Sequence, residues 1–426
     1  MAKAFLDSIK QQVFSWFARA QAADIDQDLV ELPEKIQAQL TEKIKTLPPP
    51  AVYRTTIHDS LAEAIQTWQQ EVDASNTLVV LADPTEAIAT ILKSSVNTWP
   101  DAPEMAIVTL PYACRPRDPL TMSQYIQQAL ESYEQLDIAA DNTADNQDTN
   151  GNLDNRTTLI VIPCLEQCFL RCIGGWDSVE YLRDIVIRNR NCFWVIGCNR
   201  LAWSFLDFVC QISAYFDQAV TLPKIDGDML RSWIEPLGEA VIESDQREVP
   251  LKSWLKPTRK AIADVDEEDS DDDSRQLYWN SLVTQSMGVA AVAVRLWQSS
   301  LRLEPQQADA ENPSLDSPDT GDAEAKGERG RQRLTLHETA PALPKFPKLT
   351  YPDRYLLHAL LIHGPMTRAH LALSLGQTER QTQASIQKLL REEVLEQRNG
   401  RLTVQALHYP KLRTELASNN FFLEED

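Results

Sequence analysis

The sequence predicts an α/β fold, a parallel sheet flanked by helices and carrying a helical lid, followed by a smaller C-terminal domain of three helices and a hairpin. Three observations predict it. From Ile57 to about Leu237 short apolar runs alternate with helix-period segments, the pattern of βα units around a parallel sheet. The runs are continuous in Val, Ile and Leu, as strands covered on both faces require. After residue 350, helix-period segments are closed by Gly364 and Gly376, and an Asn399-Gly400 pair follows.

Five strands are expected, at Thr77–Leu81, Met105–Leu110, Thr158–Ile162, Phe193–Gly197 and Ala219–Leu222. Upstream, Leu6, Ile9, Val13, Phe14 and Phe17 share one face of a helix. That face has three readings: docking on the chain's own core, pairing with a partner helix, or peripheral membrane contact through residues 1–20. Leu47-Pro48-Pro49-Pro50 stops the helical pattern. Residues 140–156 are polar and low in complexity and are expected to be a disordered loop. The acidic block Asp264–Asp273 reads as a solvated loop, and residues 304–345 as a linker without apolar surface to bury.

At the C-terminal end, helices are expected over 355–363, 366–375 and 380–393, with strands Val394–Arg398 and Arg401–Val404 joined by Asn399-Gly400. Three helices followed by a hairpin is a winged helix-turn-helix pattern. The expected domains are thus an N-terminal helical segment (1–52), the α/β core (53–240), an acidic loop with the lid (241–303), a linker (304–345) and the winged helix (346–426).

Composition narrows the function. A net charge of −21 argues against wholesale attraction to nucleic acid or anionic lipid. No apolar run approaches a membrane span, and the N-terminus lacks a secretory signal. Seven cysteines between Cys114 and Cys210 are an odd number confined to one apolar region, which implies thiols in a reducing, cytoplasmic setting. Cys164, Cys168 and Cys172, four residues apart, would stack on one helix face. Without histidines nearby they read as core residues rather than a metal site.

The loop after the first strand reads Ala82-Asp83-Pro84-Thr85-Glu86-Ala87-Ile88-Ala89. A working phosphate loop, G-x-x-x-x-G-K-[ST], uses glycines to wrap phosphates with backbone N–H groups, a lysine to neutralise them and a hydroxyl to hold magnesium. Here Ala82 and Ala87 replace the glycines, Ile88 the lysine and Ala89 the hydroxyl residue, and Glu86 adds a negative charge.

With this loop in place, residues 57–303 resemble the AAA-type and STAND-type P-loop ATPases. The resemblance implies an acidic pair after the third strand, where this chain has Pro163-Cys164 with Glu166 close by. It implies a polar sensor at Asn199 and a lid segment at Gly288–Trp297, in which Arg295 would be a second sensor. The degenerate nucleotide site is therefore Ala82, Ala87, Ile88, Ala89, Glu166, Asn199 and Arg295.

The expected function is a non-catalytic, ATPase-like adaptor or regulatory scaffold that binds protein partners, with no cofactor. One alternative is an ATP- and magnesium-dependent ATPase with divergent motifs. Another is a winged-helix DNA-binding regulator reading duplex DNA through Arg380, Lys388, Arg391, Arg398 and Arg401. Glu379, Glu392, Glu393 and Glu396 offset those cations, so strong nucleic-acid binding is not expected.

Overall fold

The computed structural model describes residues 30–99, 105–111, 115–131, 156–234, 237, 241–244, 247–250, 270–304, 335–421 and 423. The amphipathic segment at residues 6–17 and the polar stretch up to residue 155 lie outside them. The chain divides into two compact units. One comprises Pro48–Ile225, Val289–Val292 and Pro344–Asp426; the other comprises Met1–Leu47, Asp226–Gly288 and Ala293–Leu343.

In the first unit, α1 (Ala51–Gln70) begins directly after the three prolines, with Pro50 as its N-cap. Then follow β1 (Thr77–Ala82), α2 (Ile88–Asn97), β2 (Ala106–Thr109), α3 (Met122–Glu131), β3 (Thr158–Ile162), α4 (Asp177–Arg188), β4 (Cys192–Asn199), α5 (Arg200–Cys210) and β5 (Ala219–Thr221). The five strands form one sheet in the order β2-β3-β4-β1-β5, parallel throughout.

All five strands fall where their apolar runs place them. β1, β3 and β4 are buried along their whole length. The edge strands β2 and β5 are not, and Ile107 in β2 faces solvent; an edge position removes the neighbour that would cover it. Gly197 in β4 permits a close approach, since a Cβ there would lie 2.5 Å from both Leu92 Cδ1 and Pro163 O.

The same unit holds α6 (Tyr351–His363), α7 (Arg368–Ser374), α8 (Glu379–Arg391), β6 (Leu395–Arg398), β7 (Arg401–Val404) and α9 (Tyr409–Ser418). Thr350 with Asp353, and Thr378 with Gln381, close capping boxes at α6 and α8. Asn399 and Gly400 both take positive φ, as a two-residue hairpin between β6 and β7 demands. Met366 bridges to Leu402 and ties the α6–α7 connection to the hairpin. α9 is an element with no counterpart in the sequence reading.

Residues 346–426, expected as a domain apart, share one hydrophobic core with the sheet. Ile160, Trp194 and Leu201 belong to the same buried cluster as Leu357, Leu361, Ile386, Leu402 and Leu412. α6 is the reason, because every residue from Leu356 to His363 is buried. A helix apolar on all sides needs neighbours on all sides.

The second unit contains helices Glu34–Thr46, Gly227–Ile234 and Ser270–Ser286, and most of Ala290–Ser300. A Cβ on Gly227 would lie 2.5 Å from Asn280 Oδ1, so those two helices touch through a residue without a side chain. Val30–Glu31, Leu301–Glu304 and Thr335–Glu338 form a three-stranded antiparallel sheet. Two expectations change here. Thr335–Glu338, placed in the linker by composition, is a strand, because pairing with Leu301–Glu304 satisfies its backbone without a core of its own. Ser270–Asp273, placed in the acidic loop, opens a helix. The rest of the acidic block and residues 305–334 lie outside the described residues. Among the described residues no helix is long and apolar enough to cross a membrane.

Candidate functional site

The carboxyl ends of β1, β3 and β4 converge where an open α/β sheet ordinarily takes its ligand. Six of the seven residues assigned to the degenerate site lie around this edge: Ala82, Ala87, Ile88, Ala89, Glu166 and Asn199. Arg295 belongs to the other unit, where its guanidinium donates to Gln298 Oε1 (2.9 Å).

The loop after β1 is folded onto itself. No residue from 82 to 88 has positive φ, and the Glu86 and Ile88 N–H groups donate to Asp83 O (2.9 Å) and Glu86 O (3.0 Å). Two of the N–H groups in this loop are thus engaged within it. Ile88 is buried, and its Cγ1 lies 3.0 Å from where a Gly197 Cβ would stand, so it packs onto the sheet. Asp83 accepts from Lys224 Nζ (2.6 Å) and from Tyr409 OH (3.4 Å).

Glu86 accepts from Tyr53 OH (3.1 Å) and from the Ala291 N–H (3.2 Å). Burial, reinforced by Asp83, pushes its carboxyl up to about 7, against the hydrogen bonds it accepts. The Glu86 carboxyl thus ties the loop to α1. Tyr53→Phe is expected to lower the unfolding free energy by about 1 kcal/mol, the net worth of one such bond, measurable by urea titration.

After β3 the chain makes a short 3₁₀ turn at Leu165–Gln167 rather than the helix that the cysteine spacing suggested. The three thiols therefore do not stack on one helical face; Cys168 Sγ donates to Cys164 O. Glu166 is only 6% exposed, and burial raises its carboxyl to about 7. It accepts the Asn199 N–H (3.3 Å) and the Cys164 thiol proton.

Asn199 is fully engaged. Its Oδ1 caps α5 through the Ala202 N–H (2.7 Å), and its Nδ2 donates to Ile362 O (3.0 Å). Gln167 Nε2 donates to His363 O (2.7 Å), which also receives an Arg115 guanidinium N–H (3.4 Å). Arg115 is itself buried, a setting that pulls its guanidinium down to about 10, and it donates to Glu166 O (2.6 Å) and Phe169 O (3.0 Å). Three side chains of the sheet edge and its loops thus serve the last two carbonyls of α6. Those carbonyls are the negative end of the helix and have no intrahelical partners.

Between Asp83, Pro84, Arg200, Leu361, Tyr409 and Arg413 remains a cavity of about 20 Å³. That holds one water, whereas ligand pockets run to several hundred Å³. Arg115, Gln167, His363 and Tyr409 were not assigned to this site from the sequence. The available signal was Gly364, which marks where α6 ends and its carbonyls need partners.

The cations assigned to duplex DNA are dispersed in role. Lys388 Nζ pairs with the buried Asp353 (2.8 Å) and Arg398 with Glu396 (2.7 Å). Arg401 is half-buried, while Arg380 and Arg391 are exposed on α8.

No protein-family model matches the chain, and no curated protein matches it. Solved structures similar to it include the ORC1 protein of Aeropyrum pernix in complex with DNA, at 12% identity over 91% of this chain and 98% of that one, TM-score 0.36. Cdc6p from Pyrobaculum aerophilum is similar at 11% identity over 92% and 100%, TM-score 0.33. PCH-2 from C. elegans is similar at 11% identity over 64% and 68%, TM-score 0.30. These likenesses concern the fold, and at such scores they carry no argument about activity.

Proposed function

We propose that this chain is a non-catalytic, ATPase-like scaffold whose nucleotide pocket is filled from within and which acts by binding protein partners. One observation carries the reading: Asn199, Gln167 and Arg115 donate to the carbonyls of Ile362 and His363. The end of a helix thereby takes the place a phosphate would have, and needs no metal. The absent lysine and glycines agree with it, since nothing remains for them to hold.

The C-terminal segment fits a winged helix in which Met366 pairs with the second wing strand at Leu402. The pairing of Lys388 and Arg398 with carboxylates favours docking to protein over duplex DNA, because binding to phosphates needs several uncompensated cations. A cytoplasmic location belongs to the same proposal.

Titration calorimetry with magnesium-ATP is the test. The expected result is no heat of binding, no thermal shift at millimolar nucleotide and no turnover, since loss of charge-assisted bonds worth about 1.5–3 kcal/mol each weakens affinity by powers of ten. Micromolar binding would make the chain an ATPase with divergent motifs. Tight, sequence-selective binding of duplex DNA at physiological salt would make it a regulator.

A further inference from the structure

A groove between the start of α6 and the end of α7 encloses about 450 Å³ and is lined by Arg171, Tyr351, Pro352, Tyr355, Leu375 and Gln377, together with Ser374. Its aromatic wall is already set. The Tyr351 and Tyr355 rings meet edge to face at 4.9 Å with their hydroxyls 3.0 Å apart, and Phe421 packs on Tyr355 at 4.9 Å. Tyr351 is nevertheless 63% exposed and Tyr355 38%. Tyrosines held against one another and still partly exposed offer contact area at little entropic cost.

Arg171 is the charged residue of the lining. Its Nε donates to Ser374 O (3.4 Å), and among the described residues it forms no ion pair. Half-buried cations are ordinarily matched by a carboxylate, because desolvation without a counter-charge is costly. The groove thus pairs an apolar aromatic wall with one guanidinium that has no carboxylate partner among the described residues, and its volume suits a few residues of extended chain. A free inorganic anion would match Arg171 and leave the tyrosines bare.

We propose that this groove is where the scaffold docks a protein partner, through a short extended segment in which acidic residues follow a proline or a large apolar residue. The proline and apolar side chain lie against Tyr351, Pro352 and Tyr355, as polyproline segments lie in aromatic-lined grooves. The carboxylate takes Arg171, whose planar fork matches it. The chain's net charge of −21 opposes such a ligand at long range. At physiological ionic strength that field decays over about 8 Å, so the contact pair decides. The proposal rests on the scaffold reading and gives it a site.

The test is fluorescence anisotropy of the full chain with a fluorescein-labelled peptide, Phe-Pro-Leu-Asp-Glu, against its Asn-Gln counterpart. Saturable binding is expected for the acidic peptide and about tenfold weaker binding for the neutral one, the loss of one charge-assisted bond. Arg171→Ala should abolish that difference. Tyr351→Ala, at an exposed position, should weaken both peptides while the thermal transition stays in place. Absence of binding at millimolar peptide, or equal affinity for the two peptides, would overturn the proposal. Displacement by inorganic phosphate or acetate as effective as by unlabelled peptide would make the groove a small-anion site instead. The two readings fail separately: magnesium-ATP binding removes the scaffold and leaves the peptide result to stand, whereas absent peptide binding removes only this groove.

Discussion

Deletion of residues 344–426 is expected to unfold the sheet-bearing unit rather than to release two independent domains. The reason is the shared core. Leu357, Leu361 and Ile362 are buried in the cluster that holds Trp194, Leu201 and Phe169, and removing the segment exposes both sides. Each buried large side chain contributes about 1.5–3 kcal/mol, so half a dozen of them equal the whole of a domain's usual stability of about 5–15 kcal/mol. The polar groups add to this, because Gln167 and Asn199 would lose the carbonyls they bind. Residues 48–343 alone should therefore aggregate or melt without a cooperative transition, and residues 344–426 alone should show little fixed tertiary structure. The intact chain should keep the two together after cleavage within residues 305–334. Two fragments that each melt cooperatively, by calorimetry and near-ultraviolet circular dichroism, would restore the independent winged-helix domain.

The sheet was legible because runs such as Thr77–Leu81 and Thr158–Ile162 carry their burial in their composition. The hairpin was legible because Asn399-Gly400 leaves few other turns open. The absence of a G-x-x-x-x-G-K-[ST] motif after the first strand could be read directly from Ala82, Ala87, Ile88 and Ala89. The contacts made at the carboxyl edge of the sheet could not. Asn199 with Ile362 and Gln167 with His363 join positions more than 160 residues apart, and their acceptors are backbone carbonyls, which leave no mark in the side-chain sequence. The strand Thr335–Glu338 was hidden for a similar reason, since ladder pairing with Leu301–Glu304 draws on backbone groups that every residue has. Residue type indicates burial; the partner of a carbonyl is decided by topology.

Glu166→Gln is expected to stabilise the protein above neutral pH and to leave it unchanged or slightly weaker in acid. Glu166 is raised to about 7 in the folded chain, from an ordinary 4.5, chiefly by burial. Between those two values the folded state keeps a proton that the unfolded chain has released. Stability therefore falls as pH rises through this window, and the full cost persists above it. A displacement of this size corresponds to about 3 kcal/mol, reduced in the glutamine variant because its amide must place N–H donors beside Cys164. Glu86 is shifted in the same direction over the same window, so the variant should keep a residual slope that Glu86→Gln removes. The measurement is the melting temperature of wild type and variant between about pH 5 and about pH 8. A gain worth about 1–3 kcal/mol at the upper end is expected, vanishing toward the lower. In a working ATPase the same carboxylate would be held ionised beside its metal, and replacing it would abolish turnover without a pH-dependent gain in stability. A variant that loses stability throughout, or that abolishes a measurable hydrolysis, would show Glu166 to be charged and in use.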